Sequence, residues 1–165
     1  MSLDLFCIAG FDGYFKFLTP LWSGLLGYSE GELLEKPFIE FVHPEDRDIS
    51  AAAAEKIATG DMLLSFENRF RCKDGSYRWL LWNAAPFAQD QLIYAPGRDI
   101  TDRKEQETRQ AALQQVRVEV WKMDRAVDID NVLIAIEHCL HTVGIPFKGH
   151  GIWIAASMPS PKQFQ

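Results

Sequence analysis

The side chains of this chain that could perform chemistry are few, and their spacing does not assemble a catalytic site. Cys7, Cys72 and Cys139 lie far apart and form no Cys-x-x-Cys pair, which argues against a disulfide framework or a zinc site and fits a reducing cytosol. His138 and His141 lie three positions apart on a predicted helix, but no carboxylate accompanies them at metal-ligand spacing. No nucleophile–base pair, glycine-rich phosphate loop or paired-carboxylate cleft is recognisable. We therefore predict a binding module without catalytic activity of its own.

The pair formed by Asp99 and Thr101 is of a different kind, because it lies where a strand passes directly into a helix. Thr101 is predicted to cap that helix by accepting a hydrogen bond from a free amide of the first turn. Asp102 then adds negative charge where the helix dipole favours it. Asp99 could pair with Lys73 or with Arg103. A strand that passes into a long helix with almost no intervening residues predicts a relay from a sensor to an output domain. The simpler alternative is that Asp99 and Thr101 only cap the helix.

The composition limits the kind of protein that carries this junction. The 165 residues suffice for one domain with an appendage, and 47% hydrophobic residues are ample for a core. The net charge of −6 comes with no basic patch, so we predict no nucleic-acid binding. No apolar run approaches the ~20 residues of a membrane-spanning helix, and no signal peptide is recognisable. We expect a cytoplasmic protein without direct membrane contact.

Two Asp-Gly pairs, Asp12-Gly13 and Asp74-Gly75, predict hairpins, because both residue types tolerate positive φ. Five strands are predicted around these turns, at about 5–11, 14–18, 64–72, 77–85 and 92–98. Four short helices are predicted between the hairpins, over 20–26, 30–35, 38–42 and 44–60. Pro96-Gly97 lies inside the fifth strand and predicts a bulge or an early strand end, because proline removes a ladder donor.

The sequence after Thr101 predicts two helices. In the first, apolar residues at alternating spacings of three and four predict a short coiled-coil seam, which either pairs two chains or packs on its own domain; they are Leu113, Val116, Val120, Met123 and Val127. Asp128 is predicted to cap the second helix, which Gly144 ends. Its predicted apolar face consists of Val132, Leu133, Ile136 and Leu140. A strand is predicted over 152–156.

Three motifs in this order of elements resemble those of a PAS domain over roughly residues 4–101. They are Phe41-Val42-His43-Pro44-Glu45-Asp46-Arg47, then Glu67-x-Arg69 with Lys73-Asp74-Gly75-Ser76-Tyr77-Arg78-Trp79, and last Arg98-Asp99-Ile100-Thr101. The resemblance implies an α+β fold, a five-stranded antiparallel sheet with short helices on one face. It also implies a cytosolic sensory or dimerisation module of a signalling protein, commonly a histidine kinase or a cyclic-dinucleotide enzyme. Residues 102–127 would be the signalling linker helix.

Residues 128–165 resemble the opening of a GAF domain, with a first helix, an Ile-Pro turn and a strand. The alternative is a C-terminal helix and strand that pack on the PAS sheet or on a partner chain.

A ligand of such a domain would lie between the sheet and the helices. Alternation places Phe66, Asn68, Phe70 and Cys72 on that face of the third strand. The predicted lining residues are Ile8, Phe17, Trp22, Leu26, Phe38, Phe41, Phe66, Asn68, Phe70 and Trp79. The alternative is that these bulky side chains fill the core and leave no cavity.

Both faces of the fourth strand are apolar, which is unexpected for a sheet with one solvated face. Leu80 and Trp82 are assigned to the outer face, opposite Trp79. A covered outer face predicts a homodimer, or contact with the helix after Thr101; the alternative is that one exposed tryptophan is tolerated. The predicted interface is Leu80, Trp82, Leu113, Val116, Val120 and Met123.

We expect no cofactor. A histidine in the region of His43 holds haem in some PAS sensors, but His43 precedes Pro44 and more simply caps a helix. The cysteinyl-flavin chemistry of LOV domains needs a cysteine in the helical region, where none lies; a non-covalent flavin could contact Asn68 or Asn83.

The leading hypothesis is a module that binds a small molecule or a partner and relays the signal to a downstream output domain. The alternatives are a purely structural dimerisation module and a haem or flavin redox sensor.

Overall fold

Five antiparallel strands form a single sheet in the computed structural model of this protein, which describes residues 5–122 and 129–145. The strands are β1 Leu5–Gly10, β2 Phe15–Leu18, β3 Leu63–Arg71, β4 Tyr77–Phe87 and β5 Leu92–Asp99. Their order in the sheet is β2-β1-β5-β4-β3, so the strand that leads into the C-terminal helix lies at the centre. The predicted α+β architecture and both Asp-Gly hairpins are confirmed.

Short helices cover one face of the sheet. They are α1 Leu21–Leu26, α2 Glu30–Leu34, a 3-10 turn Phe38–Glu40, a 3-10 turn Pro44–Asp46 and α3 Arg47–Ala58. His43 caps the turn at Pro44, as expected, because its Nδ1 accepts a hydrogen bond of 3.2 Å from the amide of Glu45. Another 3-10 turn, Ala88–Asp90, connects β4 to β5.

The register of the β3–β4 hairpin shows that the predicted faces of β4 are wrong. Arg71 pairs with Tyr77, so Asn68 lies opposite Leu80 and Phe66 lies opposite Trp82. Directly paired residues share a face of the sheet. Leu80 and Trp82 therefore face the helices. The error has one cause: a shift of one residue across a turn moves every side chain to the other face.

β5 is continuous through Pro96-Gly97, contrary to the predicted bulge. The ladder to β4 is interrupted between the pairs Trp82–Gly97 and Ala85–Tyr94, which flank the proline, and the register does not change. Gly97 is required here for space, since a Cβ atom would lie 2.7 Å from Cζ3 of Trp82. The indole of Trp82 thus lies directly against the backbone of β5.

Contacts divide the chain into two compact units, Met1–Glu105 and Gln106–Gln165. Helix α4, Thr101–Lys122, begins in the first unit, and α5, Ile129–Thr142, belongs to the second. Gly144 follows α5 with a φ of 73°, consistent with the predicted end. The buried residues of α5 are Val132, Ala135 and Cys139, so its buried face differs from the predicted one.

Several predicted features lie outside the described residues: Met123 and Val127 of the seam, the cap at Asp128 and the strand over 152–156. Among the helices that are described, none is long and apolar enough to cross a bilayer. Likewise, within 5–122 and 129–145, no group of three or more histidine, cysteine, aspartate or glutamate side chains is arranged to hold a metal ion.

Candidate functional site

A cavity of about 80 Å³ lies between the inner face of the sheet and the helices. All five strands contribute to its wall, together with α3 and Phe38. The strand residues are Cys7, Ala9, Phe15, Leu63, Phe66, Asn68, Phe70, Trp82, Ala84, Ile93 and Ala95, and the α3 residues are Ser50, Ala53, Ala54 and Ile57. The cavity exists because small side chains occupy inward positions on both layers.

Those small side chains are what sequence reasoning missed. Ala53 and Ala54 belong to a run of four alanines, and Ala84 and Ala95 take inward positions on the two central strands. The predicted lining residues are mostly aromatic, and aromatic side chains fill space rather than leave it. Alanines at inward positions of adjacent elements are the signal that could have located the cavity.

Of the ten predicted lining residues, Phe38, Phe66, Asn68 and Phe70 do line the cavity. Trp22, Leu26 and Phe41 are buried in the core cluster without lining it.

Ile8, Phe17 and Trp79 lie on the outer face of the sheet, so their placement in the pocket is wrong. Ile8 pairs with Phe17, whereas its neighbours Cys7 and Ala9 point inward. The physical reason is that the outer face is apolar as well, so hydrophobicity alone does not distinguish the two sides.

Three polar groups are joined across the wall of the cavity. The indole N–H of Trp82 donates to Oδ1 of Asn68 at 2.8 Å, and Nδ2 of Asn68 donates to Oγ of Ser50 at 3.0 Å. Asn68 is 3% exposed. These bonds connect β4, β3 and α3, so a molecule that disturbs the amide of Asn68 acts on three elements at once.

Cys7 also lines the cavity, but its thiol is not reactive. Its Sγ donates to the carbonyl oxygen of Ala95 at 3.6 Å. Burial raises the pKa of the Cys7 thiol to about 12. Because the thiolate is the nucleophile, a group that stays protonated at neutral pH forms no covalent adduct readily.

The start of α4 is hydrogen-bonded to β4 through Thr101. Its Oγ1 accepts from the amide of Trp79 at 2.9 Å and donates to Oδ1 of Asp99 at 2.5 Å. The same carboxylate oxygen accepts from the amide of Thr101 at 2.9 Å, and the amide of Ile100 donates to the carbonyl of Trp79. Thr101 thus holds the helix to the neighbouring strand, rather than capping the helix's own amides as predicted.

The predicted basic partners of Asp99 are also wrong. Its carboxylate lies 3.9 Å from the guanidinium of Arg78, the residue that follows Tyr77 at the start of β4. Lys73 instead pairs with Glu32 at 2.7 Å, and Arg103 pairs with a carboxylate of β3.

That carboxylate, Glu67, ties β3 to the first turn of α4. Its two oxygens lie 2.7 Å from the guanidinium of Arg103 and 2.6 Å from Nζ of Lys104. The hydrogen bonds from Lys104 and Arg103 hold the pKa of Glu67 below its usual value. The indole of Trp79 is close to two cations, with Lys104 Nζ at 5.2 Å and Arg69 Cζ at 5.3 Å from its ring centre.

Arg69 extends this network to the helical layer. It makes two side-chain hydrogen bonds to Asp46, at 2.6 and 2.9 Å, and one to Glu45 at 2.9 Å. The amide of Arg69 also donates to Asp46. The Arg69 guanidinium holds the pKa of the Asp46 carboxyl below its usual range. Since Asp46 immediately precedes α3, the network joins the helix that lines the cavity to the strand that contacts α4.

The predicted dimer interface is only partly accessible. Leu80 and Trp82 are 0% and 7% exposed in the core of one chain, so neither can meet a partner, and their assignment is wrong. On α4, Leu113 and Val120 are exposed and Val116 is half-buried.

Comparison with known proteins agrees with the fold. Residues 15–93 match the family model of the PAS fold. The PAS-B domain of Cycle from Drosophila melanogaster, with bound glycerol, is similar at 24% identity, with a TM-score of 0.53 over 58% of this chain and 98% of that one. A domain of a sensory box sensor histidine kinase/response regulator from Geobacter sulfurreducens matches at 22% identity and a TM-score of 0.52, over 58% of this chain and 82% of that one.

The N-terminal domain of a diguanylate cyclase with PAS/PAC sensor from Marinobacter aquaeolei matches at 16% identity and a TM-score of 0.54, over 62% of this chain and 99% of that one. The sheet-forming part of this chain thus has the PAS fold. The GAF-like start expected at residue 128 finds no support in these matches.

Proposed function

We propose that residues 4–101 bind a small molecule in the cavity and relay its presence through Asp99 and Thr101 to a linker helix, residues 102–127, and on to an output domain. An output of the histidine kinase or cyclic-dinucleotide type is part of this proposal, because the fold is shared with domains of both. The domain itself is a regulatory module without catalysis. Its proposed location is the cytosol, which suits the free buried thiols Cys7 and Cys72.

The observation that carries the proposal is that the same two strands contact both the cavity and the start of α4. On β4, Trp82 lines the cavity and Trp79 is hydrogen-bonded to Thr101. On β3, Asn68 lines the cavity, and its neighbour Glu67 holds the first turn of α4 on the opposite face. A ligand shifts a conformational equilibrium only if it binds the two states differently, and a small displacement of these strands supplies such a difference.

A haem or flavin sensor is not favoured by the size of the site. Pockets for molecules of that size are typically ~300–1,000 Å³. The cavity has a volume of about 80 Å³. The side chain of His43 lies outside its wall, with Nδ1 occupied by a hydrogen bond from Glu45.

Asp99→Ala is expected to uncouple α4 from the cavity with little loss of fold. The substitution removes both hydrogen bonds to Thr101 at a partly exposed position, which costs on the order of 1 kcal/mol of unfolding free energy for each bond. In the wild-type chain, a ligand in the cavity is expected to slow hydrogen exchange of the amides of 100–104. In the variant it is expected to leave that exchange unchanged while still binding.

Asp102→Ala is the matched control, since Asp102 is an exposed aspartate in the same turn. It should retain the ligand-dependent exchange. If Asp99→Ala also retains it, Asp99 is not part of the relay.

We also propose that two chains pair through α4, along Leu113, Val116 and Val120; Met123, the fourth residue of the predicted seam, lies outside the described residues. The apolar side chains of Leu113 and Val120 are 56% and 49% exposed, which favours a partner on that side of the helix. Leu113→Glu combined with Val120→Glu is expected to give a monomer in sedimentation analysis, because like charges would face each other across the seam.

Val118→Glu is the control for that pairing, because Val118 is also exposed but lies off the seam. A double variant that sediments as a dimer, or a wild-type chain that sediments as a monomer, would refute pairing through α4.

A further inference from the structure

The size of the cavity restricts what it can hold. A water-sized group needs ~10–15 Å³ by the same kind of measure, so the site has room for roughly five to eight such groups. The volume of about 80 Å³ is set by Ala53, Ala54, Ala84 and Ala95 on facing elements, so it follows from the sequence rather than from one side-chain rotamer.

The wall restricts the charge of the occupant. In the described part of the chain, none of the sixteen residues that line the cavity is charged. The thiol of Cys7 stays neutral because burial raises its pKa to about 12. An ion placed here would lose its hydration without gaining a counter-ion, and an uncompensated buried charge costs several kcal/mol.

The hydrogen-bonding capacity of the wall lies mainly with the side-chain amide of Asn68 and the hydroxyl of Ser50. A carboxamide has two N–H donors and two acceptor sites on its oxygen. Among the described residues, Asn68 uses one donor toward Ser50 and one acceptor site toward Trp82. One N–H and one lone pair of Asn68 are therefore left for a molecule in the cavity, and its neighbours along β3 in the wall, Phe66 and Phe70, are apolar.

We propose that the cavity selects an uncharged, mainly apolar molecule of few atoms that carries one hydrogen-bonding group, and that Asn68 forms the hydrogen bond to this group. The inference rests on the proposed function, which takes the cavity as the ligand site. It adds the chemical class of the ligand and the residue that distinguishes it.

Four probes with chains of similar length test the selection: 1-butanol, n-pentane, butyrate and butylammonium. Binding to the full chain is followed by the indole N–H resonance of Trp82, which is assigned by its loss in Trp82→Phe. We expect 1-butanol to shift this resonance saturably, and both ions to bind at least about a hundredfold more weakly, because neither finds a counter-charge.

Two substitutions at Asn68 test its role. Asn68→Leu is expected to lower the affinity for 1-butanol relative to n-pentane by about tenfold, the value of one good hydrogen bond. Asn68→Asp keeps the acceptor for the indole N–H of Trp82 and replaces the N–H donor to Ser50 by an oxygen that can accept from the Ser50 hydroxyl. It also adds a negative charge, so it is expected to admit butylammonium. The second variant keeps the test informative if the first does not fold.

Ala84→Leu fills the cavity, so it distinguishes a failure of the proposed function from a failure of the inferred ligand class. If no probe shifts the Trp82 resonance of the wild-type chain, or if Ala84→Leu leaves binding unchanged, the cavity is not the ligand site and the proposed function fails. If Ala84→Leu abolishes binding but the ions bind as well as 1-butanol, or Asn68→Leu leaves the preference unaltered, the site stands and the inferred ligand class is refuted.

Discussion

Asp46→Asn is expected to lower the free energy of unfolding by about 2–3 kcal/mol, the cost of breaking a partly buried, charge-assisted pair. The Asp46 side chain is 9% exposed and the Arg69 side chain 24% exposed, so water cannot fully replace the lost bonds. The replacement keeps the shape of the side chain, but it removes the charge and turns one of the two acceptor oxygens into an N–H donor. Chemical denaturation of both proteins at neutral pH measures the difference.

The same pair gives the wild-type chain a pH dependence with a defined sign. The pKa of Asp46 is lowered in the folded protein, chiefly by the hydrogen bonds from Arg69. Its contribution is therefore fully present above the pKa of an unfolded aspartate, about 3.9, and is lost as the pH falls through the lower folded value. Asp46→Asn should lack this part of the acid sensitivity.

Asp12→Asn is the control for Asp46→Asn, because Asp12 pairs with Lys16 at 2.6 Å on an exposed surface. Exposed ion pairs contribute only ~0–1 kcal/mol. Equal losses of stability in the two variants would contradict the structural role assigned to the Asp46–Arg69 pair.

Trp22→Ala is expected to cost about 3–5 kcal/mol, the range for a large aromatic residue removed from a core. The Trp22 side chain is 1% exposed, and its ring stacks on Trp82 with ring centres 5.7 Å apart. It also contacts Phe15 and Phe70, at 5.4 and 5.9 Å between ring centres. The substitution further leaves the carbonyl of Phe6 without the indole N–H that donates to it at 3.1 Å.

Trp121→Ala provides the matched comparison, since Trp121 is 88% exposed on α4. Its unfolding free energy should change by no more than about 0.5 kcal/mol. A Trp22→Ala variant that unfolds at the same denaturant concentration as Trp121→Ala would mean that the aromatic cluster around Trp22 is not the core of the domain.

The order of elements could be predicted from the sequence because each boundary has a local chemical cause. Asp-Gly pairs made both hairpins recognisable, and His43 with Pro44 marked a helix start. These signals depend on neighbouring residues alone.

The faces of β4 could not be predicted in the same way, because they depend on how many residues the turn between two strands contains. Trp79 and Trp82 are chemically alike, and only the pairing of Arg71 with Tyr77 decides which of them faces the cavity. The partners of Thr101 and Glu67 were missed for a related reason. They are contacts between distant segments, and nothing in the local sequence specifies them.

The proposed relay transmits occupation of the cavity to the start of α4. One titration tests it most directly, with 1-butanol added to the full chain and two N–H groups observed by NMR. The indole N–H of Trp82 is bonded to Asn68 at the cavity, and the backbone N–H of Trp79 is bonded to Thr101 at the junction. Both resonances are expected to shift and to saturate at the same 1-butanol concentration. A saturating shift at Trp82 with no shift at Trp79 would contradict the relay.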